Sequence, residues 1–376
     1  MTCSIGKTRK SNRSWAATYT LLTAAISSFW VGCSAGSTSS IASQPPPIAD
    51  TRVLSVTANP TEVPAPTQQD FVNAVNLIYT AGARGITETP TWASIEPSAG
   101  QYSLQALQSD LTLEATKGLQ IYFSIQLINT VLREVPPDLM SVSWDDPLMK
   151  TRFHALLDAV KPLLTPQVAY LSVGNEVDVY LSAHPTEWTA YQSFYQDALA
   201  YIHQTMPGIR VGVTTTFGGA SGGAQGNVAA LNTMSDVWIF TYYPVRAGFV
   251  PNFGQSPLTD FPTMLTLAGT KDVVLQEVGY PSSTALSSSE ANQAAFITEF
   301  FQAWQNSGQR IPFLSFFLLH DLTPTMCAQL NSYFQLPPDP ALQAYLCSLG
   351  LRHDDDTPKP AWSAFVSSAA AHGFPQ

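Results

Sequence analysis

The chain is expected to fold as one (β/α)8 barrel, the TIM-barrel class of α/β fold. Three observations predict it: eight short β-branched or aromatic runs, longer helix-patterned stretches between them, and a length of 376 residues, enough for a barrel with long loops.

The runs read as strands are Val53–Val56, Gly85–Glu88, Ile121–Ile125, Ala169–Val173, Val211–Thr214, Val237–Phe240, Val273–Gln276 and Phe313–Phe317. Between them, residues 68–81 set Phe71, Val75 and Ile78 on one helical face at spacings of four and three. Residues 147–164, 186–206 and 288–306 are the clearest other helices. Thr186 with Thr189 is the expected opening of one, and Ser287 with Glu290 reads as a capping box. Gly82, Gly118, Gly208, Gly269 and Gly308 each follow a helical run, as C-terminal caps do. An open doubly wound sheet is the structural alternative. It would carry a glycine-rich phosphate turn after its first strand, where Ala58-Asn59-Pro60 stands instead. The run Gly218-Gly219-Ala220-Ser221-Gly222-Gly223 lacks a Lys and the P-loop spacing, and is read as a mobile loop.

Composition limits the function. The chain is 45% hydrophobic, 11% aromatic and only 12% charged, with a formal charge of −10. That balance gives a large core and argues against nucleic acid as partner, since phosphate binding needs clustered Lys and Arg. No Cys/His spacing suited to a metal occurs, and no cofactor or metal is expected. The many Trp, Tyr and Phe suit a domain that displays aromatics in a groove, and the protein is expected to act as a monomer.

Residues 1–33 read as a targeting segment. Lys7, Arg9, Lys10 and Arg13 precede a mostly apolar stretch from Trp15 to Gly32, and Cys33 follows. This resembles a bacterial lipoprotein signal with Cys33 as the lipidated residue, although Trp30 replaces the usual Leu. Ordinary secretion and an uncleaved anchor are the alternatives. Removing the segment leaves 13 Lys and Arg against 27 acidic residues, a charge of −14. Residues 34–50, rich in Ser, Gly, Ala and Pro, are expected to form a flexible tether to a barrel spanning 51–376. The expected location is therefore outside the cytoplasm, on a membrane through the lipid or free. There Cys327 and Cys347 are expected to form a disulfide, two buried thiols being the alternative.

Two carboxylates stand where barrels do their chemistry, at the C-terminal ends of strands. Glu176 closes Tyr170-Leu171-Ser172-Val173-Gly174-Asn175-Glu176, and Glu277 closes Val273-Val274-Leu275-Gln276-Glu277. Each ends a run too apolar for a solvated surface, and a carboxylate buried there for packing alone would cost several kcal/mol.

Gly174-Asn175-Glu176 on the fourth strand with Glu277 on the seventh resembles the clan A glycoside hydrolases. The likeness extends to Thr91-Trp92-Ala93-Ser94-Ile95-Glu96-Pro97, to Thr241-Tyr242-Tyr243-Pro244 and to Lys359-Pro360-Ala361-Trp362. It implies a retaining glycosidase without a cofactor, acting on an oligosaccharide or polysaccharide. Glu176 would be the acid/base, Glu277 the nucleophile and Asn175 the ligand of the sugar 2-hydroxyl. Tyr243, or Tyr242 in second place, would orient Glu277. Trp92 and Trp238 are candidate sugar platforms, Glu88 a candidate substrate contact, and Glu96 part of a conformational motif. His320 stands where a Trp usually ends strand eight and is a candidate to line the site in its place. Glu277-Val278-Gly279-Tyr280-Pro281 resembles the strand-seven loops of endo-β-1,3-glucanases and endo-β-1,4-galactanases, with Tyr280 in the usual Trp place. A β-linked glycan follows as the expected substrate, with endo action favoured. A non-catalytic glycan-binding lipoprotein and a transglycosylase are the rival functions.

Overall fold

The structure is a computed structural model that describes residues 52–252 and 256–374. The targeting segment and tether lie outside the described residues.

Eight strands form the barrel: β1 Val53–Val56, β2 Gly85–Glu88, β3 Gln120–Asn129, β4 Val168–Asn175, β5 in two pieces, β6 Val237–Tyr242, β7 Asp272–Val278 and β8 Phe313–Phe316. The pieces of β5 are Arg210–Gly212, which pairs with β4, and Thr214–Thr216, which pairs with β6. The nine hydrogen-bonded segments thus make one ring, with β1 paired in parallel to both β2 and β8. All eight expected strands are present.

Alternation along the strands sorts the side chains into two cores. Tyr122, Tyr170, Val237, Ile239, Val274 and Phe313 fill the lower barrel interior. Above them the interior turns polar through the buried residues Ser55, Ser172, Thr214, Gln276 and Ser315. The opposite faces carry Leu54, Phe123, Leu171 and Leu275 against the surrounding helices. Polarity therefore rises toward the mouth, where substrate would enter.

The helices Gln68–Thr80, Pro147–Val160, Trp188–Thr205 and Glu290–Asn306 match the expected ones, with different caps. Ser289, not Ser287, accepts the Asn292 N–H at the last, and a 3-10 turn Pro185–Glu187 replaces the Thr186 opening. The five glycines expected after helices all have positive φ. The Gly218 run is no loop in its first half: Phe217–Ser221 is helical, with Thr216 Oγ1 accepting from Gly219 N.

After β8 the chain adds an insert of two helices, Pro324–Tyr333 and Pro340–Leu346, with a small core of its own around Leu318, Leu342, Tyr345 and Leu349. The Cys327–Cys347 disulfide ties the two together, with Cα atoms 5.9 Å apart. Because this bond closes a loop inside the insert, it constrains the insert and not the barrel. Closing a loop of this length contributes about 3 kcal/mol. We expect Cys327→Ser with Cys347→Ser to raise amide exchange across residues 324–349 while leaving β1 to β8 protected. Exchange rising evenly over the barrel would contradict this.

Candidate active site

Glu176 stands at the junction of β4 and the helix Val177–Ala183, in the left-handed conformation at φ 47° and ψ 42°. L residues other than Gly and Asn seldom adopt it, and such strain gathers at functional positions. Gly174 prepares the turn at φ 93°, and a Cβ there would lie 2.5 Å from Val177 and 2.7 Å from the Tyr191 hydroxyl. Two hydroxyls hold the Glu176 carboxyl: Thr130 Oγ1 at 2.8 Å from Oε2, and Thr241 Oγ1 at 2.6 Å from Oε1.

Asp178 fixes the helix that follows. It accepts from the Thr216 N–H and hydroxyl at 2.8 and 2.7 Å. Burial pushes it up to about 6 against those two donors, and the Glu176 charge adds to the rise.

Glu277 arrives through a β-bulge. Leu275 pairs with Phe240 but Glu277 with Thr241, so Gln276 is the extra residue and the alternation resets. Both Gln276 and Glu277 consequently reach the mouth. Tyr243 donates its hydroxyl to Glu277 Oε2 at 2.8 Å, and Gln276 Nε2 donates to Oε1 at 3.1 Å. Gly279 makes room for that tyrosine, since a Cβ there would stand 2.4 Å from its ring.

Thr241 shows that the two glutamates converge. It is the register partner of Glu277 across β6 and β7, and its hydroxyl holds Glu176. Burial raises Glu277 to about 7, the Glu176 charge adds to this, and the Tyr243 and Gln276 donors pull the other way.

Around the pair, Asn175 Nδ2 donates to Asn129 Oδ1 at 3.1 Å, and its Oδ1 accepts from Gln276 Nε2 at 2.9 Å. Tyr345 of the insert packs its ring 5.8 Å from that of Tyr243 and 5.0 Å from that of Phe249. Burial and the charges of Glu176 and Glu277 hold its hydroxyl firmly protonated. Phe317, just past β8, sets its ring edge-on to Tyr243 at 6.4 Å.

The site brings together Glu176, Glu277, Asn175 and Tyr243 as expected from sequence, and sets the other expected residues elsewhere. Trp92 is fully buried, donates Nε1 to Glu96 at 2.8 Å and meets Phe153 edge-on, so it is core. Trp238 is buried beside Phe240. Tyr242 alternates outward, donates to Asp260 Oδ2 at 2.7 Å and packs on Phe217 and Phe261. Tyr280 is buried, stacked on Phe296 at 4.8 Å. His320 is buried between Asn59 O and Asp356 Oδ1, at 2.7 and 2.8 Å.

Glu88 is paired in register with Phe123, on the outer face of the barrel, beside Glu114 and Asp110 of the helix Gln105–Thr116. Burial raises all three, with mutual repulsion lifting Glu114 and Asp110 further, Asp110 to about 8. Residues missed by sequence reasoning are Thr130, Thr241, Gln276, Phe317 and Tyr345. Of these, Gln276 had a signal in its position next to Glu277. Among the described residues no group of three His, Cys, Asp or Glu is set to hold a metal ion.

Comparison with known proteins bears on the barrel. No family model and no curated protein sequence matches the chain. Solved structures do. An exo-β-1,4-mannosidase from Opitutaceae bacterium strain TAV5 is 17% identical with a TM-score of 0.65, over 85% of this chain and 59% of that one. A GH5_18 protein from Streptomyces cattleya in complex with Manb1-4GlcNAc is 16% identical with a TM-score of 0.66, over 85% of this chain and 80% of that one. A family 39 glycoside hydrolase from the gut symbiont Bacteroides cellulosilyticus WH2 is 16% identical with a TM-score of 0.61, over 86% and 64%. The chain thus spans less than two thirds of the first and third of these proteins. The likeness is one of fold, and it establishes the (β/α)8 barrel.

Two titrations follow. Folded Glu114 keeps its proton where the unfolded chain loses it, so its contribution to stability declines as pH rises above the ordinary Glu range. Glu114→Gln is expected to stabilise the protein clearly at pH 8 and by little at pH 4.5, read from denaturant midpoints. Removing the neighbouring charge with Glu176→Gln should bring Glu277 down from about 7 toward its usual range, measured by carbon NMR of the carboxyl. An unmoved titration would mean the carboxyls do not interact.

Proposed function

We propose that the chain is a retaining glycoside hydrolase acting on β-linked glycans by double displacement. The observation that carries this reading is the convergence of Glu176 and Glu277 through Thr241, with different hydrogen-bond partners on each carboxyl.

Those partners support a division of roles. The Gln276 amide can only donate to Glu277, which favours the negative charge there. The Thr130 and Thr241 hydroxyls can donate or accept, so they accommodate Glu176 in either form. In the first step a Glu277 oxygen bonds to the anomeric carbon, the glycosidic C–O bond breaks, and Glu176 gives its proton to the leaving oxygen. In the second, Glu176 takes a proton from water as that water replaces Glu277 at the anomeric carbon. Asn175 is bonded to the amide that also holds Glu277, and the resemblance to the clan A enzymes assigns it the sugar 2-hydroxyl.

Tyr333 reaches from after β8 to Asn129 at the end of β3, at 3.1 Å, so the insert borders the mouth. Export is part of the proposal, supported by the leader read in residues 1–33 and by the disulfide.

Sugar release from a panel of β-glycosides and β-glycans tests the reading. Glu277→Gln should abolish release, and Glu176→Gln should lower it about 10²–10⁴-fold for poor leaving groups and less for good ones. Tight binding without release would point to a glycan-binding protein, and lengthened products to a transglycosylase. Random internal cuts in a polymer would identify endo action.

A further inference from the structure

The proposed chemistry leaves unused a chain of hydrogen bonds that runs sideways out of the site into the insert. It begins at Glu134, just past the short segment Leu132–Arg133 that folds back on β3. The Tyr333 hydroxyl donates to Glu134 Oε1 at 2.9 Å. A carboxylate can only accept, so this proton is committed and the Tyr333 oxygen is left as an acceptor. Asn129 Nδ2 donates to it at 3.1 Å.

The orientation then passes inward one amide at a time. With its nitrogen turned to Tyr333, Asn129 presents Oδ1 to Asn175, whose Nδ2 donates at 3.1 Å. Asn175 in turn presents Oδ1 to Gln276 Nε2 at 2.9 Å, and the same nitrogen donates to Glu277 Oε1 at 3.1 Å. Reversing any one amide would oppose two N–H groups or two carbonyl oxygens. An unpaired group of that kind is costly where the amides are buried, as Asn175 and Gln276 are. Tyr333 is the one member of this chain that comes from outside the barrel strands and their loops. Its helix carries Cys327, which the disulfide ties to Cys347 within the insert.

We propose that Tyr333 is a positioning residue: acting through Asn129, it steadies from the insert the Asn175 amide orientation that Gln276 holds from within the barrel. The insert thereby tunes recognition of the hydroxyl beside the anomeric carbon without touching the reacting atoms. The inference rests on the glycosidase reading above, which supplies the substrate.

Paired aryl β-glycosides with and without the 2-hydroxyl, assayed on the full chain, test it. For Tyr333→Phe, kcat/KM on the 2-hydroxy substrate should fall about tenfold, the scale of one lost hydrogen bond, and on the 2-deoxy substrate by less than about twofold. Glu134→Gln keeps an acceptor for Tyr333 and should preserve the wild-type ratio between the substrates. Equal losses on both substrates, or no loss on either, would overturn the proposal, since a purely structural tyrosine changes both alike. A wild type that releases aglycone from the panel while Tyr333→Phe keeps its ratio sinks this inference alone. A wild type inert on the whole panel sinks the glycosidase reading as well.

Discussion

The site depends on one side-chain amide. Gln276 is fully buried, and all of its hydrogen-bonding capacity is used within the barrel. Its oxygen accepts from the Tyr122 and Thr214 hydroxyls at 2.7 and 2.6 Å, and its nitrogen donates to Asn175 and Glu277. It thereby joins β3, β5, β4 and β7 at one point, between the barrel interior and the mouth. In such a network each bond orients the next, and a single unpaired member would cost more than its own bond. Tyr122, packed on Phe313 below, transmits the packing of the barrel floor to the amide that holds Glu277.

The bulge in β7 makes this possible, and it also explains what the sequence concealed. Strict alternation sends only every second residue inward. An apolar run ending in Gln-Glu therefore marks one of the two as a site residue and turns the other toward the helices. The extra residue in β7 delivers both. Strand positions and the strand-end glutamates were legible because periodicity and polarity are local properties. Thr130 and Thr241 were not, since a threonine at a strand end is ordinary until its partner is known.

The aromatic residues failed for a different reason. Trp92, Tyr242, Tyr280 and His320 were picked out by their place along the chain, and place along the chain does not say which face a ring takes. Tyr242 and Tyr243 illustrate this: adjacent in sequence, one packs against helices and the other holds Glu277. Two aromatics that do border the site, Tyr345 and Tyr333, come from an insert whose contact with the barrel is long-range. No local pattern carries such a contact. Glu88 was misplaced by the same ambiguity, at a strand end but on the outer face.

The left-handed backbone at Glu176 has a consequence for how this protein could change over time. Holding a glutamate in that conformation costs about 1–2 kcal/mol, a cost that Gly or Asn would largely avoid. At position 176 the most stable residue and the acid/base of the proposed reaction are therefore different. A descendant released from selection for chemistry would gain stability by exchanging Glu176 for Asn or Gly. A descendant that keeps the glutamate there is paying a conformational toll, and that persistence is a mark of chemistry still under selection.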